Sequence, residues 1–227
     1  MTTHVALLGH PVSHSLSPRM QNAAFAAAGL DWDYEAFDVE DVVAAVHGLR
    51  ASGFAGANVT IPHKQAVVAA CYEADGEAVN TLIFRDGAVI GVNTDREILA
   101  GVRAERACVI GAGGAALTLG PALPADTRMF SRSGVWPPDA TGCDLIVNAT
   151  PVRDELLVQP VAGQTVVELA YTPDGADTAL VAAARKTGCV VIDGLEALVR
   201  QGAKSFELWT GVPAPLEVMR TAVRGGP

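Results

Sequence analysis

Aromatic side chains are scarce in this sequence, at 5% of 227 residues, while Ala, Val and Gly are plentiful. That mixture suits closely packed strands and helices, with glycines freeing the turns. There is no Lys/Arg block and no interleaving of aromatic with basic residues, and the formal net charge is −9. Nucleic acid and membranes are therefore not among the expected partners. No uninterrupted apolar stretch approaches the length of a membrane span. Met1-Thr2-Thr3-His4 lacks the charged and apolar regions of a signal peptide, so a cytoplasmic location is expected. Cys71, Cys108, Cys143 and Cys189 are scattered without CxxC spacing and read as reduced core thiols. The five histidines are not set with Cys or carboxylates at zinc spacing, so no metal site is expected.

Half of the residues are apolar and 18% are charged, enough for a substantial core in one large or two small domains. Strand-like and helix-like segments alternate, which predicts an α/β fold. His4–Gly9 reads as a strand, and Ser17-Pro18 as the start of a helix closed by Gly29. Val39–Ser52 reads as an amphipathic helix, Ala57–Ile61 as a strand, and Pro62 as the opening of a helix through Tyr72. Leu82–Phe84 and Ala88–Val92 flank Arg85-Asp86-Gly87 as a hairpin. Thr94-Asp95-Arg96-Glu97 has the form of a capping box, predicting a helix start. Further strands are expected at Ala107–Ile110, Arg128–Phe130, Asp144–Asn148, Thr165–Leu169 and Cys189–Ile192, with a helical tail from about Gly194.

The strand ending at Ile110 runs into Gly111-Ala112-Gly113-Gly114-Ala115-Ala116 and then a helical pattern. Gly111 permits a tight turn, Gly113 lets the backbone approach a pyrophosphate, and Ala116 allows close helix–strand packing. Where NAD enzymes carry Asp or Glu for the ribose hydroxyl, this chain reads Ser131-Arg132-Ser133. A guanidinium pairs with a 2′-phosphate that a carboxylate would repel, which favours NADP over NAD. Arg132 and Asp144 are only twelve positions apart, and the stretch between them includes Pro137-Pro138. A trimmed nucleotide domain follows, with a loop in place of one crossover helix.

Four polar motifs lie in the first half: Ser13–Pro18, Asn58–Lys64, Ala78–Thr81 and Asn93–Asp95. Their hydroxyls, amides, lysine and carboxylate suit a polyhydroxylated small acid better than an apolar ligand or a metal. Each motif also has an ordinary reading: Ser17 as a helix cap, Ser15 and Asn80-Thr81 as turn residues, Asp95 as a first-turn charge. Lys64 falls in the expected first turn after Pro62, where the helix dipole disfavours a cation; facing a carboxylate, it can donate and accept a proton.

Taken in order, SHSLSP at 13–18, NVTIPHK at 58–64, AVNT at 78–81, NTD at 93–95, the GAGGA loop, NATP at 148–151 and the tail Asp193-Gly194-Leu195, Gln201 and Phe206–Trp209 span nearly the whole chain. In this the sequence resembles the shikimate dehydrogenase family. The resemblance implies a substrate-binding and catalytic domain at 1–97, a Rossmann-type NADP-binding domain at 98–194, and a helical segment at 195–227 that returns to the first domain. It also implies that Lys64 and Asp95 form the catalytic pair. Ser15 and Ser17 bind the substrate carboxylate, Thr60, Asn80 and Gln201 hold ring hydroxyls or neighbouring groups, and Tyr171 lies close to the substrate. The cofactor falls to Gly111, Ala112, Gly113, Gly114, Ala115, Ser131, Arg132, Ser133 and Gly194. The implied reaction is NADP-dependent oxidation of shikimate to 3-dehydroshikimate, within aromatic amino acid biosynthesis by the chorismate pathway, in a monomer or homodimer.

The chain departs from the family's pattern at several points. It is short around the nucleotide domain, and positions 134–140 lack the second basic residue usual after the Arg132 motif. Glu196-Ala197 replaces a Gly-Met pair, Arg96-Glu97 follows NTD, and Arg153-Asp154 follows NATP-Val152 where glycine is common. The alternatives are a quinate- or aminoshikimate-type dehydrogenase, with NAD possible as cofactor, and a ligand-binding regulatory homologue without turnover.

Overall fold

The computed structural model describes residues 1–172 and 174–225. It is α/β and divides into two compact units, one made of Met1–Glu97 with Val199–Gly225, the other of Ile98–Leu198.

The first unit begins with β1 (Thr3–Gly9), α1 (Ser17–Ala27), β2 (Trp32–Asp38), α2 (Val42–Ala51) and β3 (Gly56–Val59). It continues through β4 (Glu73–Ala74), β5 (Thr81–Arg85) and β6 (Ala88–Val92). The six strands run in the order β2-β1-β3-β5-β6-β4. β1 pairs parallel with β2 and β3, whereas β5 is antiparallel to both β3 and β6. The α2 helix starts where the Asp41 carboxylate accepts the Ala44 N–H at 3.0 Å. The hairpin turns on Asp86 and Gly87, both left-handed (φ 51° and 77°), as an Asp-Gly type I′ turn requires. Ala6, Leu8, Val42, Val46, Ala57, Val59 and Leu82 form the core between the sheet and α2.

The second unit carries β7 (Arg106–Ile110), α3 (Gly114–Leu119), β8 (Asp126–Phe130), β9 (Leu145–Asn148), β10 (Thr165–Glu168), α4 (Ala179–Thr187) and β11 (Val190–Ile192). Its five strands are all parallel, in the order β11-β10-β9-β7-β8. Strand order reverses between β7 and β9, which makes that the switch point of a Rossmann-type sheet. The expected loop in place of a helix lies between β8 and β9, and the β9–β10 connection is also helix-free. Both sheet faces are nevertheless covered: Val109, Leu145, Val147 and Leu119 form one core, and Ile110, Ile146, Val166 and Leu180 the other. Such two-sided burial explains why the strands read as continuous apolar runs.

α5 (Gly194–Thr210) and α6 (Leu216–Arg224) complete the chain. Within the first unit they pack on α1: Phe206 stacks on Phe25 at 5.3 Å, and Gln21 Nε2 donates to the Gly202 carbonyl at 2.9 Å. A Cβ on Gly202 would lie 2.3 Å from the Met20 methyl, so glycine sets that close approach.

Three local expectations are corrected. The helix from Pro62 to Tyr72 is only a 3₁₀ turn at Ala66–Ala70, because the Lys64 carbonyl accepts the Val79 N–H at 2.9 Å instead of continuing a helix. Lys64 is therefore outside any helical first turn, and the dipole argument lapses. The expected helix at Thr94 is a 3₁₀ turn at Asp95–Leu99, since the Thr94 hydroxyl bonds Asn80 and Ser205 rather than capping. Ser17 is not a cap either: Leu16 holds that position, without a side-chain cap. The strand β2 and the helix α4 were not expected from the sequence.

Candidate active site

The polar motifs of the first unit meet at one edge of its sheet. β1 and β3 are parallel and both end there, β5 begins there because it is antiparallel to β3, and β6 returns to the same edge. Ser13–Pro18 follows β1, Thr60 and Lys64 follow β3, Asn80 precedes β5, and Asn93–Asp95 follows β6. Val59 N–H to the Asn80 carbonyl, at 2.8 Å, and Thr60 N–H to the Leu8 carbonyl, at 2.9 Å, tie these ends together.

At this edge Lys64 Nζ donates to Asp95 Oδ2 at 2.5 Å, with both side chains buried. Asn80 Nδ2 donates to the other carboxylate oxygen at 2.7 Å, and to Gln201 Oε1 of α5 at 3.4 Å. The Asn80 side-chain oxygen accepts the Thr94 N–H at 2.7 Å. Lys64, Asp95, Asn80 and Gln201 are thus brought into one hydrogen-bonded group. Ser15 Oγ accepts the Ser17 N–H at 3.2 Å at the start of α1. The Thr60 methyl packs so closely on the end of β1 that a Cβ on Gly9 would lie 2.4 Å from it.

Beneath this group runs a buried polar network that sequence reasoning missed. The Asn58 amide donates to the Asn80 carbonyl (3.1 Å), Thr81 Oγ1 (2.9 Å) and Ser205 Oγ (2.9 Å), while its oxygen accepts from the Tyr34 hydroxyl (2.8 Å). Asparagine inside a fully buried strand was the available signal, because an amide there needs partners. His63 is buried and its Nε2 donates to the Val39 carbonyl at 2.7 Å, which makes it a tie to the approach of α2.

In the second unit the expected cofactor residues line the carboxyl edge of the parallel sheet. Gly111 has φ 115°, and a Cβ there would lie 2.9 Å from the Ala149 carbonyl oxygen, so only glycine fits. Around Gly113 the space is open. Ala112 lies in the turn into α3, whose six residues begin with Gly114 and Ala115. Ser131, Arg132 and Ser133 follow β8 in a turn closed by the Gly134 N–H on the Ser131 carbonyl, with the two serine hydroxyls 3.3 Å apart. Arg132 pairs with Glu155 at 3.1 Å and lies 5.5 Å over the Trp136 ring. Arg153 Nε is buried without a hydrogen-bond partner. Gly194 opens α5 against β10's end, where a Cβ would meet the Ala170 carbonyl oxygen at 2.2 Å; Tyr171 lies beside it.

Glu168, at the end of β10, is completely buried and was also missed, although a lone acid in an apolar strand was a signal. It accepts from Asn148 Nδ2 (3.0 Å), Thr178 Oγ1 (3.0 Å) and the Ala170 N–H (2.9 Å). Burial pushes its pKa up to about 7 against the opposing pull of those donors. Asn148 in turn accepts the Thr150 hydroxyl at 2.7 Å, so Glu168 anchors the 148–151 loop beside Gly111. Elsewhere His4 Nδ1 lies 3.8 Å from Asp33 and 3.7 Å from Glu35, on exposed faces of β1 and β2. Among the described residues no helix is long and apolar enough to cross a membrane.

Residues 7–82 match the family model of the shikimate dehydrogenase substrate binding domain, and residues 194–224 match that of the shikimate 5′-dehydrogenase C-terminal domain. The shikimate dehydrogenase (NADP(+)) of Rubrobacter xylanophilus is 39% identical over 99% of this chain and 96% of its own length. That of Moorella thermoacetica is 38% identical over 97% and 92%. That alignment of 273 positions exceeds this chain's 227 residues, so the relative carries segments absent here. A solved shikimate 5-dehydrogenase from Thermus thermophilus, in complex with NADP(H) and shikimate, superposes with a TM-score of 0.84 at 32% identity, covering 98% of each chain. On sequence, fold and the order of its site motifs together, the chain belongs to the shikimate dehydrogenase family.

Proposed function

We propose that the protein catalyses the reversible, NADP-dependent oxidation of shikimate to 3-dehydroshikimate. The observation that carries this reading is the buried Lys64–Asp95 pair, 2.5 Å across, at the edge where hydroxyls and amides converge. Lys64 Nζ gives a proton to the ring carbonyl oxygen in the reduction direction and takes the hydroxyl proton in the oxidation direction. Asp95 aims Nζ and stabilises its ammonium form, and Asn80 fixes the carboxylate plane. Ser15 and Ser17 take the ring carboxylate, with Thr60, Asn80 and Gln201 toward the ring hydroxyls. Tyr171 is the remaining substrate contact in this reading.

The second unit's donor set fits a phosphorylated dinucleotide: an open position at Gly113, two serine hydroxyls beside Arg132, and the unpartnered Arg153 Nε. Residues Gly111 to Ala115 would hold the pyrophosphate, Ser131, Arg132 and Ser133 the 2′-phosphate, and Gly194 the nicotinamide end. Held there, NADP would supply the hydride acceptor for the oxidation of the ring carbon. The four cysteines are free, and burial pushes the Cys108 thiol up to about 12.

The test is to mix purified protein with shikimate and either NADP or NAD and follow cofactor reduction by absorbance, with Lys64→Ala alongside. Turnover with NADP that disappears in Lys64→Ala is the expected result. Turnover confined to quinate, or none with any ring acid, overturns the assignment.

A further inference from the structure

Arg132 already holds an anion. Its Nη2 lies 3.1 Å from Glu155 Oε2, and its guanidinium lies 5.5 Å from the centre of the Trp136 ring. At that distance the ring attracts the cation without using its N–H donors, which stay available to an acceptor. Glu155 takes one of those donors. Positions 134–140 contain no Lys or Arg, so no second cation in that stretch shares the load.

We propose that Glu155 is a specificity-determining residue for the cofactor: it occupies Arg132 as an internal anion that a 2′-phosphate has to displace. The inference rests on the NADP reading above and adds a residue to it. Its chemistry works in both directions. A carboxylate beside the adenosine ribose repels a phosphomonoester dianion, yet accepts hydrogen bonds from free ribose hydroxyls, as the acidic residue of NAD sites does. Displacement remains feasible because the Arg132 and Glu155 side chains are 66% and 60% exposed, and pairs of that kind are weak. Two residues earlier, Arg153 supplies the opposite charge on the same loop, with its Nε buried and unpartnered. Cofactor preference is thus a balance between Arg132 and Glu155, and this chain leans toward NADP less than Arg132 alone would give.

The experiment is calorimetric titration of the full-length protein with NADP and with NAD, for the parent, Glu155→Gln and Arg132→Ala. Glu155→Gln is isosteric and exposed, so folding is undisturbed. It is expected to bind NADP about three- to fivefold more tightly, the scale of an exposed ion pair, with NAD binding unchanged or weaker. Arg132→Ala is expected to lose the preference for NADP. If the parent binds NADP and Arg132→Ala loses it while Glu155→Gln leaves NADP affinity unchanged, or tightens both cofactors equally, the role of Glu155 is refuted and the NADP reading stands. If the parent binds no NADP, the cofactor reading fails and this inference fails with it.

Discussion

Asn80 donates from Nδ2 to Oδ1 of Asp95 at 2.7 Å, the carboxylate oxygen that Lys64 does not use. The carboxylate is therefore gripped at both oxygens, and the direction of Lys64 Nζ is set by an amide on a neighbouring strand end. Removing either charge leaves the other buried and mismatched. Lys64→Met and Asp95→Asn are each expected to cost about 3 kcal/mol of stability, while Lys64→Met with Asp95→Asn costs less than the sum. Turnover should drop by about 10²–10⁴-fold in each. Urea unfolding beside the absorbance assay separates the two effects. Additive stability losses would mean that the pair is not coupled.

Asn58 joins Tyr34, Thr81, Ser205 and the Asn80 carbonyl from the middle of β3. Asn58→Ala strands several buried polar groups at once and is expected to cost about 2–4 kcal/mol. Tyr34→Phe removes a single bond and is expected to cost about 1 kcal/mol. Because the network lies under Asn80, Asn58→Ala should also lower kcat more than it raises KM. Chemical denaturation and steady-state kinetics on the two variants check both points.

What the sequence discloses and what it hides follow the same physics. The hairpin at Asp86-Gly87 and the turn at Gly111 are legible because left-handed backbone restricts the residue type. Each buried strand of the second unit is legible because both faces are covered. The helix expected after Pro62 fails because a distant N–H, that of Val79, claims the Lys64 carbonyl. The capping box at Thr94 fails because its hydroxyl belongs to a network built from Asn80 and Ser205, far away in sequence. Local pattern cannot anticipate a partner supplied by tertiary structure. Lys64, Asp95, Asn80 and Gln201 were named through family resemblance, and Asn58 lay in a named polar motif, but the partners of Asn58 and the places of Ser205 and Glu168 become visible only in the folded chain.

Glu168 carries a pH dependence whose sign is fixed by its environment. Burial raises its pKa from 4.5 to about 7, so between those values the native protein holds a proton that the unfolded chain has released. Stability from this group is fully present below about pH 4.5 and declines as pH rises toward about 7, by about 3 kcal/mol in all. Glu168→Gln removes the titration. The difference in unfolding free energy between parent and Glu168→Gln should therefore slope across that window and be flat above it. Parallel curves would show that the three donors, Asn148, Thr178 and the Ala170 N–H, keep the carboxylate ionised throughout.

Gly111 and Gly113 are two residues apart but make opposite demands. Gly111 sits at φ 115° with the Ala149 carbonyl oxygen 2.9 Å from where a Cβ would be, so Gly111→Ala both strains the backbone and pushes β7's end from the 149–150 loop. A loss of about 1–3 kcal/mol is expected on unfolding. Gly113 has open space at its Cβ position and a negative φ of −88°, so Gly113→Ala should leave stability within about 0.5 kcal/mol of the parent. If that space is where the pyrophosphate approaches the backbone, the added methyl falls on the ligand instead. Gly113→Ala should then weaken dinucleotide binding at least about tenfold, a clash cost of the size seen for overfilled sites. Differential scanning calorimetry with and without NADP distinguishes the two: Gly111→Ala lowers the transition temperature of the free protein, whereas Gly113→Ala reduces the rise that NADP produces. Should Gly113→Ala bind NADP as the parent does, the open space at that position has some other use, and the cofactor has to approach the sheet edge without touching it.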